Sequence, residues 1–222
     1  MLSWLGRFLT SSIGKKTVMA LTGLCLVGFL VAHLAGNLTF YTGGEEGLNA
    51  YAQKLEDLGP LLVVAEVALA LLFVVHIALA LRLSRENSAA REQGYRRRGN
   101  MGESTAGSST MLITGLIVAV FLVIHLIDFR LPKLTGELDD LGAAVTQRLS
   151  SPAGIAIYLV GVTALGLHLS HAVQSALQTL GAAHPKYTPL LRGLGLLLAV
   201  VLFVGFASFP IYGLFLGAGV DR

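Results

Sequence analysis

Five long apolar runs, at about 17–40, 60–82, 111–130, 153–177 and 193–216, constrain this chain more than any other feature. A helix needs about 20 apolar residues to cross the hydrocarbon core of a bilayer, whereas a membrane strand needs only about 9–11. Inside lipid the backbone must satisfy its own hydrogen bonds, so runs of this length read as helices. The expected fold is all-α: an integral membrane bundle of five transmembrane helices in one domain, residues 1–222. Charged residues make up 13% of the chain, about half the ~25% usual in soluble domains. That balance excludes a water-soluble globular domain, a disordered chain and a fibrous repeat. The single cysteine, Cys25, excludes an internal disulfide framework, a Cys-based zinc site, an iron–sulfur cluster held by this chain alone and covalent c-type haem. In its apolar run, Cys25 reads as a packing residue.

Local signals set the ends of the spans. Pro60 and Pro152 stand where helices begin, which suits proline at a first turn. Asn37, Gly43 and Gly44 close the first span, Pro132 and Gly136 follow the third, and Pro210 predicts a kink within the fifth. The first span is too long for a signal peptide, lacks a small-residue cleavage site and has Lys15 and Lys16 close to its start. With the N-terminus inside, cytoplasmic segments hold 11 of the 16 Lys and Arg residues, among them Arg7, Lys15, Lys16 and the cluster Arg96, Arg97 and Arg98. The expected topology is therefore N-terminus cytoplasmic and C-terminus outside. The net charge of +3 belongs to span flanks and is no nucleic-acid signal. Residues 83–110 form the one long polar stretch, a cytoplasmic loop read either as topogenic charge or as a docking surface for a soluble partner.

Five of the six histidines lie within spans, where ionisable side chains are rare and usually functional; His184 is in a loop. Each of the first four spans carries one of His33, His76, His125 and His168. His33 and His76 are 43 residues apart, as are His125 and His168. Phe29-Leu30-Val31-Ala32-His33-Leu34 also matches Phe121-Leu122-Val123-Ile124-His125-Leu126, which suggests a duplicated two-helix unit. Counted from the span midpoints at about 1.5 Å per residue, His33 and His125 fall roughly 6 Å toward the outer face. His76 and His168 fall roughly 4–8 Å toward the inner face, so the two levels differ by on the order of 12 Å. Two His at each of two depths suit two bis-His haems stacked along the membrane normal. A zinc or copper site would need three or four ligands at one depth.

Gly154, Gly161, His168 and Ser175 share a helix face at a seven-residue period. With Gly166 and Gly36, these glycines could admit a porphyrin or simply let helices pack closely. Glu66 is the one acid deep within a span, either a protonatable group near an electron acceptor or a hydrogen-bonded packing residue. His171, three residues after His168, could meet a haem propionate, a quinone or a neighbouring helix, and takes no ligand role.

Several short motifs accompany the four histidines. They are Ser12-Ile13-Gly14-Lys15-Lys16, Met19-Ala20-Leu21-Thr22-Gly23, His33-Leu34-Ala35-Gly36-Asn37-Leu38, Asn49-Ala50-Tyr51-Ala52, and Gly166-Leu167-His168-Leu169-Ser170-His171 running into Ser175-Ala176-Leu177-Gln178-Thr179-Leu180-Gly181. In these the chain resembles, over essentially its whole length, the dihaem cytochrome b membrane-anchor subunit of succinate dehydrogenase and fumarate reductase, of the single-polypeptide five-helix type. The resemblance implies two haems b, with axial pairs His33/His125 for the outer, distal haem and His76/His168 for the inner, proximal one. It implies a flavoprotein (FAD) subunit and an iron–sulfur subunit on the cytoplasmic face, in a bacterial plasma (inner) membrane. It allows a higher oligomer of the whole complex. Electrons would pass from succinate through flavin, clusters, inner haem and outer haem to a quinone, expected to be menaquinone, or in reverse for fumarate reduction. The succinate active site would lie on a partner subunit, leaving this chain no catalytic residue of its own.

The family's quinone site uses a carboxylate at the outer end of the second helix. Glu56 and Asp57 occupy the matching region, Glu56 slightly preferred, with ordinary outer-loop charge as the alternative. Some members carry a carboxylate two residues before the fourth-span His; Gly166 stands there in this chain, which puts a compensating proton path in doubt. Lys15, Lys16, Gln178 and Lys186 are candidate propionate partners. The rival readings are a dihaem cytochrome b of a hydrogenase or formate dehydrogenase, and a haem-free transporter or scaffold in which the His only pack helices.

Overall fold

A computed structural model describes residues 2–89, 106–182 and 184–220, and among them every regular element is helical. Five helices are long and apolar enough to cross a membrane. In chain order the elements are α1 (Leu2–Thr10), α2 (Ser12–Asn37), α3 (Thr39–Glu56), α4 (Pro60–Ala89), α5 (Ala106–His125), a π-helical turn (Leu126–Arg130), α6 (Leu131–Thr135), α7 (Leu141–Ser150), α8 (Pro152–Thr179) and α9 (Thr188–Val220). The spanning helices overrun the apolar runs, because their ends are fixed by polar caps rather than by hydropathy. Ser11 Oγ accepts the Gly14 N–H at 3.0 Å and starts α2; Ser151 Oγ accepts the Gly154 N–H at 3.1 Å and starts α8. The polar stretch expected at 83–110 is helical at both ends, and residues 90–105, with Arg91 and Arg96 to Arg98, lie outside the described residues.

Four spanning helices form a ring. The hairpin α2/α4 and the hairpin α5/α8 are each closely packed; α2 also packs on α8, and α4 touches α5 lightly. The diagonal pairs, α2 with α5 and α4 with α8, make little or no direct backbone approach. α9 lies outside the ring against α8 and α2. The core gathers Leu34, Leu149, Tyr158, Leu169, Ala199, Leu202 and Phe209. Of the most apolar stretch of α8, 44% is buried, against none of that of α4. Val63, Val67, Leu71 and Val74 of α4 are therefore free to face lipid tails, which solvate them as well as another helix would.

Short helices cover one end of the ring. There α3 packs on α7, and Asn49 joins them: its Nδ2 donates to Asp140 Oδ1 at 2.8 Å and its Oδ1 accepts the Gly142 N–H at 2.9 Å. Gly44, at φ +61°, bends α3 where a side chain would be strained. Gly136, at φ +73°, ends α6 as a left-handed cap after the third span. At the opposite end α1 carries exposed Trp4, Leu5 and Leu9, an apolar surface suited to a membrane interface.

One expectation changes. Cys25 is exposed on the outside of the bundle rather than packed in it. Pro210 lies within the fifth span as expected, fully buried inside α9.

Candidate functional site

The four span histidines sit on the diagonals of the ring, His33 and His125 on α2 and α5, His76 and His168 on α4 and α8. His33 and His125 meet across the first diagonal with ring centres 5.8 Å apart and planes at 84°. Aromatic rings enclose them. Phe29 stacks on His33 at 5.3 Å and Phe206 of α9 approaches it at 5.8 Å; Phe129 and Tyr158 lie 5.4 and 6.0 Å from His125.

The second diagonal lies a different distance along the bundle. His76 Nδ1 is 3.3 Å from Thr22 Oγ1, and His168 Nδ1 is 3.5 Å from Thr114 Oγ1. Thr22 and Thr114 each stand 11 residues from the first-diagonal His on the same helix, His33 and His125. Eleven residues of α-helix rise about 16 Å, roughly 4 Å more than counting from the apolar midpoints gives, since the helix ends and the ends of the apolar runs do not coincide. His76 and His168 lie within electrostatic reach of each other.

The surroundings of these rings favour one tautomer. Thr22 Oγ1 donates its one hydrogen to the carbonyls of Val18 and Met19 at 2.9 and 3.0 Å, and Thr114 Oγ1 donates to those of Thr110 and Met111 at 3.0 and 3.2 Å. With its hydrogen on a carbonyl, each hydroxyl is placed to accept from the imidazole, an arrangement that favours the hydrogen on Nδ1 and a lone pair on Nε2. The contacts are long, and the Met19 and Met111 carbonyls share the ring donors. Tyr158 does the same for His125. Its hydroxyl donates to Asp128 Oδ2 at 2.9 Å, so the phenol oxygen, 3.4 Å away, accepts from His125 Nδ1.

The partners at the second diagonal repeat at an interval of 92 residues: Met19 and Met111, Thr22 and Thr114, Gly23 and Gly115, His76 and His168. His33 and His125 have the same interval. The duplication thus extends beyond the histidine segments, and Met-x-x-Thr-Gly was the readable signal for it. A Cβ on Gly23 would lie 3.1 Å from His76 Cε1, and one on Gly115 3.3 Å from His168 Cε1. These are the glycines against ligand-type rings. The expected ones face elsewhere: Gly161 meets the Phe121 ring, Gly166 Phe203, Gly36 Tyr51, and Gly154 the Arg148 backbone.

The carboxylates singled out in the sequence are all engaged at the α3/α7 end. Glu66 Oε2 accepts from Arg130 Nη2 at 2.6 Å, Glu56 pairs with Lys133 at 3.1 Å, and Asp57 accepts from Gln53 Nε2 at 2.9 Å. Sequence reasoning missed a further group in which Asp128, on the π-helical turn just after His125, accepts from Arg148 Nε at 2.8 Å and from Tyr158. Tyr158 stands 92 residues after Glu66, so equivalent positions of the two hairpins each bond a side chain of that turn. A cleft of about 350 Å³ lined by Asp128, Ala144, Gln147, Arg148 and Ser151 opens beside it. Outside the spans, the N–H of Ala143 and then the Asn49 amide hold the Asp140 carboxyl below its ordinary value.

At the α1 end, Lys15 is buried and paired with Glu86, which also takes Arg82 Nε at 2.9 Å. The buried Gln174 accepts from Arg192 Nε at 3.1 Å, near His171. Among the described residues no group of three or more His, Cys, Asp or Glu could hold a single metal ion. The histidines divide two and two.

Comparison with family models, curated proteins and solved structures gives no match.

Proposed function

We propose that this chain is the membrane-anchor cytochrome b subunit of a succinate:quinone oxidoreductase, holding two bis-His haems b. The observation that carries the reading is the placement of paired histidines on both diagonals of a four-helix ring, at two levels. Diagonal helices leave the bundle axis to side chains, where a flat macrocycle can sit between two ligands. The donors fit the group. His33 and His125, with ring centres 5.8 Å apart, would hold one haem iron between them. His76, His168 and His125 each hold Nδ1–H against an acceptor and present Nε2, the arrangement common to metal-bound histidine. A haem, when bound, supplies a one-electron ferric/ferrous couple.

The chain's own residues do the rest. The His33 pair and the His76 pair define two stations about 16 Å apart along the helices, which divides the membrane thickness into shorter electron-transfer steps. Phe29, Phe206 and Phe129 keep water from the first station. The Lys and Arg distribution supports a cytoplasmic N-terminus and an outer C-terminus, which makes His33/His125 the outer pair. A flavoprotein and an iron–sulfur subunit would dock on the cytoplasmic face and feed or draw electrons at His76/His168, with menaquinone served near the outer pair. In the quinone-side region Glu56 pairs with Lys133 and Glu66 with Arg130. The membrane would be a bacterial plasma membrane.

A pyridine haemochrome and reduced-minus-oxidised spectrum of the purified protein tests this reading. Two b-type haems per chain, with copurifying FAD and iron–sulfur proteins, are expected. A folded chain without haem would leave a scaffold or transporter.

A further inference from the structure

The two levels are unlike in one respect that the duplication does not copy. At the inner level both histidines lean on neutral groups, a threonine hydroxyl and a main-chain carbonyl. His125 instead leans on a phenol, which gives its hydrogen to a carboxylate, which is held by a guanidinium. The chain of donors runs from His125 Nδ1 to Tyr158 oxygen at 3.4 Å, from Tyr158 to Asp128 Oδ2 at 2.9 Å, and from Arg148 Nε to the same oxygen at 2.8 Å. Asp128 and Arg148 side chains are 15% and 28% exposed, and both line the cleft of about 350 Å³. The equivalent of Tyr158 in the first hairpin is Glu66, which turns to Arg130 instead.

We propose that Tyr158, braced by Asp128 and Arg148, is a positioning residue that orients His125 and tunes the haem it would hold, setting that haem's potential apart from the inner one. The inference rests on the bis-His reading above. The phenol oxygen has spent its hydrogen on a carboxylate, so it carries more negative charge than a threonine oxygen bonded to a carbonyl. A hydrogen bond into it makes the His125 imidazole a stronger electron donor, which favours ferric iron. Asp128 adds a nearby negative charge in the same direction, and Arg148 keeps Asp128 in place rather than free to turn into the cleft. The arms of the relay come from three elements, the π-helical turn, α7 and α8. A shift of α7 at the membrane surface is thereby connected to the orientation of a ligand in the core.

The test uses the intact complex carrying Tyr158→Phe, with Asp128→Asn as a second variant that keeps the side-chain volume. Each is titrated potentiometrically while both haems are followed by low-temperature optical and ferric EPR spectra. The expected result is two haems per chain, an upward shift of the outer midpoint potential in both variants, a moved outer ferric EPR signal, and an unchanged inner haem. For a one-electron couple, a tenfold change in the oxidised-to-reduced ratio reads as about 59 mV. Two haems with an unmoved outer potential and signal would overturn the proposal, as would equal shifts of both haems, which would mean a general packing change. A wild-type complex without two haems would instead overturn the bis-His reading itself.

Discussion

On the bis-His reading, replacing Gly23 by alanine should loosen a haem held at His76 and His168 more than the same change at Gly115. The difference follows from two distances. An added Cβ at Gly23 lies 3.1 Å from His76 Cε1, and at Gly115 it lies 3.3 Å from His168 Cε1. Ordinary carbon–carbon contact begins near 3.4 Å, so the His76 ring must retreat about 0.3 Å and the His168 ring about 0.1 Å. Metal–ligand distances hold to about ±0.2 Å. The first displacement is the larger of the two. The His76 ring cannot slide away freely, since its Nδ1 edge is bonded to α2 at Thr22 and Met19. Disturbing the support of a metal-bound histidine typically costs 10–100-fold in affinity. For Gly23→Ala the lower figure applies, about tenfold or 1.4 kcal/mol. Backbone preference works against this loss, because alanine favours a helix over glycine by about 1 kcal/mol. The assay is haem retention during titration with a haem-scavenging apoprotein, each haem followed by its own α-band. Gly23→Leu and Gly115→Leu, whose longer side chains overrun both rings, should abolish the inner haem and spare the outer one, whose survival reports an intact bundle. Retention of the inner haem in Gly23→Leu would show that the ring does not stand against α2, and the reasoning would fail.

Two other outcomes follow from the packing. Gly161→Leu drives a side chain into the Phe121 ring between α5 and α8, an overpacking of about 1–3 kcal/mol; a lower unfolding temperature in detergent checks it, and an unchanged one contradicts the close packing. Asp140 is held below its ordinary carboxyl value by Ala143 and Asn49, so it stabilises the α3/α7 junction above that value and loses the effect as pH falls through the lowered one. Amide exchange at Ala143 should therefore accelerate at acid pH in the native chain and lose most of this pH dependence in Asp140→Asn.

The spans were legible because twenty apolar residues admit few alternatives, and Pro60 and Pro152 do begin α4 and α8. The approach of His33 to His125 was legible for a related reason, since equal spacing in antiparallel hairpins sorts side chains by depth before any packing is known. Less legible were α1, α3 and α7, whose sequences mix polar and apolar residues and hold their shape by docking at the bundle ends. The glycines stayed open between a porphyrin and close packing because a seven-residue period gives a face of α8 but not which helix meets it. Gly161 turned out to face a phenylalanine, while Gly23 and Gly115 face the imidazoles. Asp128, Arg148 and Tyr158 carry no shared signal in the sequence; only the fold brings the π-helical turn, α7 and α8 together. The engagement of Glu66 by Arg130, 64 residues away in the chain, was equally beyond a local pattern.

The most direct test of the account is to change the four histidines to alanine one at a time and identify the haem each variant loses. His33→Ala and His125→Ala should lose or convert the same haem, His76→Ala and His168→Ala the other, with the remaining spectrum intact. Loss of one haem by His33→Ala together with His76→Ala, or retention of both haems in any of the four, would contradict the diagonal pairing on which the account stands.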